Sequence, residues 1–566
     1  MKKKIWFIAA AVVVSLALIS VASADVNGSG WWSAISVQRV GTSVSSATVV
    51  MTAYAKQGES GGPWECGSRS LPTFGSGATF YPHWASDPGG SNCANIPGFP
   101  ASYEGSGVLS ADDEIVAIVQ TQNIRFGGFA PGDVPYGRAV GAYNGISSPS
   151  TELKFPLYKN NHNNEMTTFY VQNTGNASAN ITAVFKPCAD QGTGIPCLGY
   201  PNVYTYTFSG LEPNKMIVID ATLARDAMGQ PMPSGRGSFG GLTIQGTQPL
   251  AGVVFEHHRT ASPATYLKAT RGFGTNDYDT KIYIPSVKYQ YPKGPTASSP
   301  NASKWSGLVV HNADTVQVTV RITYTLAARD GKPDHPDVGT KYYHGPVTLN
   351  PGESAFFLFH SGLNPAPGTQ PRDLLSAEVG ATGKIVAVVN EEGDYSISGL
   401  RDYATYGGIP AHAAAYKVSV PSYKEQYNGK FHGAIIMNVG TGPAIITATL
   451  TVVGRGSGYT GPLVAGNTVK IRTTRPVLPG ASIVLFMSCK DYYNQWEDLT
   501  GDTHQKADLC SGVGNPTGGV NTALIVESNQ PIVVLANEEL LWYEDPARRG
   551  DGYGEDASNY EGFPLP

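Results

Sequence analysis

Apolar and polar residues alternate through one stretch of the chain. Val316, Val318, Val320, Ile322, Tyr324 and Leu326 fall on one side, and Gln317, Thr319, Arg321, Thr323 and Thr325 on the other. That is the period of a strand with a single buried face. Just before it, Leu308–Val310 is a short apolar run ending at Asn312, and Asn312–Thr315 reads as a turn. Variants of this unit occur four times. The opening strands align as Val37-Gln38-Arg39, Val171-Gln172-Asn173, Val310-His311-Asn312 and Ile436-Met437-Asn438, at offsets of 134, 139 and 126 residues. The alternating strand follows each: Ala47, Val49, Met51 and Ala53; Ala179, Ile181, Ala183 and Phe185; and, in the fourth copy, Ala444, Ile446, Ala448, Leu450 and Val452.

Later in each copy comes a nearly continuous apolar run: Glu114–Thr121, Pro249–Glu256, Lys384–Glu391 and Pro531–Glu538. Such a run suits a central strand covered on both faces. Between the two landmarks lie turns, Leu211-Glu212-Pro213-Asn214, Leu349-Asn350-Pro351-Gly352 and Leu478-Pro479-Gly480, each leading into another apolar strand. The copies close alike, at Tyr143–Ile146, Gly272-Phe273, Tyr406–Ile409 and Tyr560–Phe563. The next copy opens on a short strand ending in proline, at Phe155-Pro156, Ile284-Pro285 and Val420-Pro421. The pattern predicts an all-β chain of four tandem β-sandwich domains, 25–147, 148–274, 275–411 and 412–566. The short linkers predict a semi-rigid row, on the order of 130–160 Å long for strands of about ten residues.

The first 24 residues do not belong to this pattern. Lys2, Lys3 and Lys4 precede the apolar stretch Ile5–Ile19, and Ala22-Ser23-Ala24 is an A-x-A cleavage site. Residues 1–24 therefore read as a secretory signal peptide, with Asp25 beginning the mature chain. No other stretch approaches the length of a membrane span. Removing three lysines takes the formal charge from −5 to −8. A mildly acidic chain without a basic cluster excludes nucleic acid and anionic lipid as obvious partners. In a secreted chain six cysteines read as local disulfides, Cys66/Cys93, Cys188/Cys197 and Cys489/Cys510, each pair inside one repeat. None has the paired C-x-x-C spacing of a zinc site.

Taken together, proline, an aromatic-rich connection, W-S-G-L-V-V-x-N, an alternating Thr/Val strand and a closing Y-x-G-(I/F) resemble the secreted, tandem, Ig-like β-sandwich proteins of bacterial cell surfaces. The resemblance spans nearly the whole mature chain. It implies an extracellular location and a structural or adhesive role, and it transfers no catalytic residue.

Chemistry is sparse. Glu256, Glu391 and Glu538 hold one repeat position, where the first copy has Thr121. A glycosidase needs two carboxylates facing across one bond, whereas a residue repeated from copy to copy ordinarily serves the fold. The expectation is a strand-end carboxylate held by hydrogen bonds or a nearby arginine. Asp330, Asp334 and Asp337 form an oxygen-rich loop that invites comparison with Ca²⁺ sites but lacks their spacing, and Asp551, Glu555 and Asp556 cluster near the tail. His257-His258 would point to opposite faces of a strand, and neither H-E-x-x-H nor G-x-S-x-G occurs. No cofactor is expected. Aromatic residues gather at the copy boundaries: Trp31 and Trp32; Tyr283, Tyr289, Tyr291 and Trp305; Tyr416, Tyr423, Tyr427 and Phe431. Such rings suit contacts between domains or subunits, and alternatively stacking on sugars. The reading is a non-enzymatic structural protein of the cell exterior, a subunit of a surface layer or filament or an adhesive stalk. Its partners would be copies of itself or other surface components. The alternatives are a polysaccharide-binding protein and, behind it, a glycan-active enzyme.

Overall fold

The structure, a computed structural model, describes residues 31–565 apart from 83–92, 101–102, 123–139, 189–201, 234–237, 259–265, 293–301, 361–364, 396–402, 426, 428–429, 487–494, 500–502, 510–517 and 541–556. Residues 1–24, expected to be a signal peptide, lie outside the described residues. Among those described, the regular structure is β strand, with one four-residue α-helix at Lys506–Leu509 and a few 3-10 turns. No described helix is long and apolar enough to cross a membrane.

One pairing scheme recurs in four successive units. In the first layer the opening strands are Trp32–Arg39, Glu165–Asn173, Ala302–Asn312 and Lys430–Asn438. Each is antiparallel to the apolar run of its unit, and the run in turn pairs with a closing strand: Val140–Asn144, Lys268–Arg271, Tyr403–Gly407 or Ala557–Glu561. In the second layer the alternating strands Ala47–Ala55, Ala179–Pro187, Val318–Arg329 and Ile446–Arg455 pair with an outer edge strand. Their period-2 pattern is the burial pattern. Val318, Val320, Ile322, Tyr324 and Leu326 are all buried in one core. Val316, expected to begin that inward set, is 59% exposed. The strand starts two residues later because the Asn312 side chain closes a turn onto the Val316 carbonyl, 2.8 Å away.

That asparagine recurs. Asn173, Asn312 and Asn438 are fully buried at the end of their opening strands. Each amide donates to two carbonyls, Ala177 and Leu211, Val316 and Leu349, or Gly442 and Val477. Each side-chain oxygen accepts a backbone N–H two residues on. Three bonds per side chain satisfy a polar group that would otherwise be costly to bury. Arg39 takes the place in the first unit, reaching the carbonyls of Gly41, Leu71 and Pro72.

In units two to four the apolar run is the second half of one long strand, Ser238–His258, Asp373–Tyr395 or Val520–Leu540, whose first half pairs with the alternating strand. A single strand thus ties both layers together. In the first unit it is broken into Gly105–Ala111 and Ile115–Gln122. The carboxylates between them are engaged sideways: Asp112 accepts the Thr48 N–H at 2.7 Å, and Asp113 accepts from Arg39 at 2.8 Å and from the Ser43 hydroxyl at 2.7 Å.

The expected row of units is not what the contacts show. The closing strands pack in a circuit, first on second, second on third, third on fourth and fourth back on first. Tyr266 stacks on Tyr403 with ring centroids 4.0 Å apart. The Gly407 N–H donates to the Glu561 carboxylate. The Asn144 amide donates to the Glu561 carbonyl at 2.8 Å. The cause is a repeated junction. Each proline-bearing strand, Ser150–His162, Asp279–Tyr289 or Ala415–Glu425, pairs with its own unit's long strand and lies against the opening strand of the next unit, the last against the first unit. Proline supplies no N–H to the ladder. The carbonyls of Pro156 and Pro285 instead accept the hydroxyls of Ser354 and Ser482 in the following unit, at 2.7 and 2.8 Å. Repeating one head-to-tail interface makes a ring when the rotation closes, and here the fourth unit reaches the first.

Closure requires small residues where closing strands meet. A Cβ on Gly141 would sit 2.7 Å from that of Ala269. Gly141→Val should therefore destabilise the first-to-second junction by about 1–3 kcal/mol. Urea denaturation checks this; an unchanged midpoint would contradict the packing.

Candidate functional site

The three repeat-position glutamates are buried, and each faces a lysine that sequence reasoning overlooked. The lysines stand three residues after the strand prolines, in Phe155-Pro156-Leu157-Tyr158-Lys159, Ile284-Pro285-Ser286-Val287-Lys288 and Val420-Pro421-Ser422-Tyr423-Lys424. The recurring P-x-x-K spacing was the available signal. Lys159 Nζ lies 3.0 Å from Glu256, Lys288 Nζ 2.8 Å from Glu391 and Lys424 Nζ 2.5 Å from Glu538. Part of the remaining carboxylate capacity goes to a neighbouring unit. Asn390 donates to Glu256 at 3.2 Å, Asn559 to Glu391 at 3.3 Å and Gln120 to Glu538 at 2.9 Å. Each glutamate is therefore shared between its own unit's lysine and the next unit's amide. In the first unit Thr121 bonds the Ser33 hydroxyl at 3.0 Å instead. No lysine stands between Lys4 and Lys56, so the charge and its counter-charge are missing together.

The electrostatics follow from burial. At Glu538 burial works to raise the pKa, but the ammonium groups of Lys424 and Lys430 outweigh it and hold the carboxyl well below its usual range. Burial lowers the Lys424 pKa against the pull of Glu538. His432 accepts the Lys424 N–H at Nδ1, 2.8 Å away, and burial pushes its pKa down to about 3. His311, at the second-to-third junction, is also held at about 3, by burial and then by Lys154 and Lys186. Both imidazoles are neutral at ordinary pH.

Around Glu256 the charges multiply. Oxygens of Glu165, Glu256 and Glu392 lie within 4.8 Å of one another, the one such cluster among the described residues. The space between them is held by ammonium groups. Lys268 reaches Glu256 at 2.5 Å and Glu392 at 2.9 Å, and Lys159 pairs with Glu165 and Glu256. Lys268 also lies over the rings of Tyr266 and Tyr403. Two lysines already supply the positive charge that a metal would bring. The adjoining cavity, lined by Glu256, Lys268, Asn390 and Thr405, has room for about one water, ≈ 20 Å³.

The other candidates are dispersed. Asp330 pairs with Arg372, Asp337 pairs with Arg329 at 2.6 Å, and Asp334 is exposed. Asp330 and Asp337 thus each pair with a different arginine. Asp551, Glu555 and Asp556 lie outside the described residues. His257 bonds Thr168 at 3.1 Å while His258 packs edge-on against Tyr266, so the pair does diverge. Tyr289 and Tyr423 are core residues. Tyr283 packs with Ile409, Met437 and Val533 at the third-to-fourth junction, and Trp31 packs with Tyr170 and Phe255 of the second unit. Tyr291 sits beside Ala327, Ala328 and Leu374, Trp305 packs edge-on against His360, Phe431 is buried and Tyr427 is half-buried. Of these aromatics Tyr416 is the exposed one, at 61%. Burial thus removes most of the proposed sugar-stacking surface. Cys66 and Cys93 form a disulfide, and Cys188 is disulfide-bonded as well. Cys197, Cys489 and Cys510 lie outside the described residues.

No family model matches the chain, and no curated protein matches it. Among solved structures it is similar to a chain titled "Crystal Structure of Thermotoga maritima 1070", at 15% identity and a TM-score of 0.16, over 23% of this chain and 94% of that one. A likeness at that score says nothing about function.

Removing one partner of a buried ion pair strands the other charge. Lys424→Met should cost about 3–5 kcal/mol, and Lys424→Met combined with Glu538→Leu should recover most of that loss. Equal stability of the single and double variants would show that the pair is not coupled. Acid should also act through the histidines. Their folded pKa values are depressed, so their stabilisation is complete above about pH 6.5 and is lost as pH falls toward 3, at about 1.4 kcal/mol per pH unit for each group. Denaturation at pH 6 and pH 5 should show a shallower loss in His311→Gln/His432→Gln than in the parent. Identical slopes would contradict the neutral assignment.

Proposed function

We propose that the chain is exported behind a leader removed after Ala24, and that its four units are Ig-like β-sandwich domains. In this reading it is a non-enzymatic structural protein of the cell exterior, a building block of a surface layer or filament. One observation carries it: the charged residues that recur from unit to unit are buried in the junctions, each neutralised by a lysine of its own unit and bonded by an amide of the next. Repeated chemistry spent on closing the ring is the signature of a scaffold. The stalk form of the proposal falls with the row.

The outer strands support the reading. Trp64–Leu71 and Lys341–Leu349 pair with one strand only among the described residues, and Tyr204–Leu211 does so apart from a single bridge from Thr205 to Arg225; alternate side chains of all three are exposed. In the fourth unit Trp496–Asp498 covers the equivalent strand Thr468–Thr473. Free edges facing outward are the usual means of adding neighbours.

Negative-stain microscopy of secreted material, beside light scattering of the purified mature chain, tests the proposal. Compact four-lobed particles that build ordered sheets or fibres as concentration rises are expected. A monomer at every concentration, fully dispersed in the medium, would overturn it.

A further inference from the structure

Three of the four junctions are crossed by the chain itself, which runs from each unit into the next. The junction between the fourth unit and the first is made by packing, and it closes the ring. There an amine is set against an amide. Lys424 Nζ lies 3.0 Å from Oε1 of Gln120, a first-unit residue 304 positions away in the chain. It lies 2.5 Å from Glu538 Oε2. The same oxygen accepts a hydrogen bond from Gln120 Nε2 at 2.9 Å. One carboxylate oxygen thus touches both the nitrogen placed to attack the amide and the nitrogen that would leave. All three side chains are buried.

The other buried lysines are placed differently. Lys159 and Lys268 direct their ammonium groups at Glu165, Glu256 and Glu392, and Lys288 directs its own at Glu391. Lys430 reaches the Gln122 oxygen at 3.0 Å, but it stands on Oε1 of Glu538, on the far side of the carboxylate from the Gln120 nitrogen. Burial also separates Lys424 from its counterparts. It lowers the Lys424 pKa past the pull of Glu538. At Lys159 and Lys268 burial acts the same way, but the surrounding carboxylates outweigh it and raise the pKa. An amine that sheds its proton more readily is the more available nucleophile. Lys430 is a second cation on Glu538. Consuming Lys424 therefore does not strand the carboxylate.

We propose that Lys424 and Gln120 join in an amide cross-link that closes the ring covalently. The Nζ lone pair forms the new bond to Gln120 Cδ, and the Cδ–Nε2 bonding pair leaves with its nitrogen. Two protons pass from the Nζ ammonium through Glu538 Oε2 to that nitrogen, which departs as ammonium. Nothing is oxidised or reduced, and Glu538 returns to its carboxylate. The junction holds amine and amide together at high effective concentration, and loss of ammonium to solvent draws the exchange forward. The ion pair of Lys424 with Glu538 is the state before reaction, and the stability loss expected of Lys424→Met refers to that state. The inference concerns how the ring is closed and holds whatever the assembled protein does.

Mass spectrometry of the purified folded chain, reduced and alkylated, tests it. The chain should be lighter than its sequence by one ammonia, and proteolysis should release one branched peptide joining Lys424 to Gln120. In denaturing, reducing electrophoresis the parent should run ahead of Gln120→Glu, whose carboxylate does not accept the amine. Glu538→Gln should form the bond roughly a hundredfold more slowly, with circular dichroism showing that the variant is folded. Full sequence mass in the folded parent, with Lys424 and Gln120 in separate peptides, would overturn the proposal whether or not the variants fold. So would a cross-link from Lys430 to Gln122 in its place, or an unchanged rate in folded Glu538→Gln.

Discussion

An ammonium and a carboxylate taken out of water each lose several kcal/mol of solvation, and each must recover it from the other. This constraint organises the molecule. Lys159, Lys288 and Lys424 stand on one strand of their units and Glu256, Glu391 and Glu538 on another, so the pair locks two strands in register. The lysine leaves part of each carboxylate unsatisfied. Asn390, Asn559 and Gln120 complete it from outside the unit. A unit therefore finishes its own interior only when its neighbour is in place, and the polar requirement of one core becomes the adhesive of the junction.

The first unit departs from this scheme at each of its elements. Thr121 replaces the glutamate, Arg39 replaces the clamping asparagine, and the long strand is split at Asp112–Glu114. These changes belong together. Without a lysine-bearing strand, a buried glutamate would have no counter-charge. Among the described residues Gly105–Ala111 pairs along one side only, with Ala47–Ala55, so a continuous strand through both layers has less to bind there. The unit keeps a core through Trp64, Phe99, Tyr103 and the Cys66–Cys93 bridge, which close over one end of it. A ring of four like units thus contains one that is chemically distinct.

Much of this was legible in the residues. The alternating Thr/Val strands, the apolar runs and the turns with proline, asparagine or glycine are local codes, in which neighbours a few positions apart determine backbone shape. Among the described residues the strands fall largely where expected, but at Val316 and Ala444 they begin two residues later. The repeat offsets likewise identified which residues would be equivalent. They identified the glutamates as carboxylates that serve the fold and accept hydrogen bonds, while the lysine that neutralises each was missed, since P-x-x-K was visible but its strand neighbour was not.

What the sequence by itself determined is therefore the content of each unit: strand, turn, core face and repeat position, all set by side chains acting over short distances. What only the tertiary structure decided is how the units meet. Gln120 and Glu538 are 418 residues apart in the chain and 2.9 Å apart in space. No local period encodes that proximity. It arises because one junction, repeated three times, turns the chain until its last unit lies against its first, and a rotation per unit is a property of packed surfaces rather than of residue order.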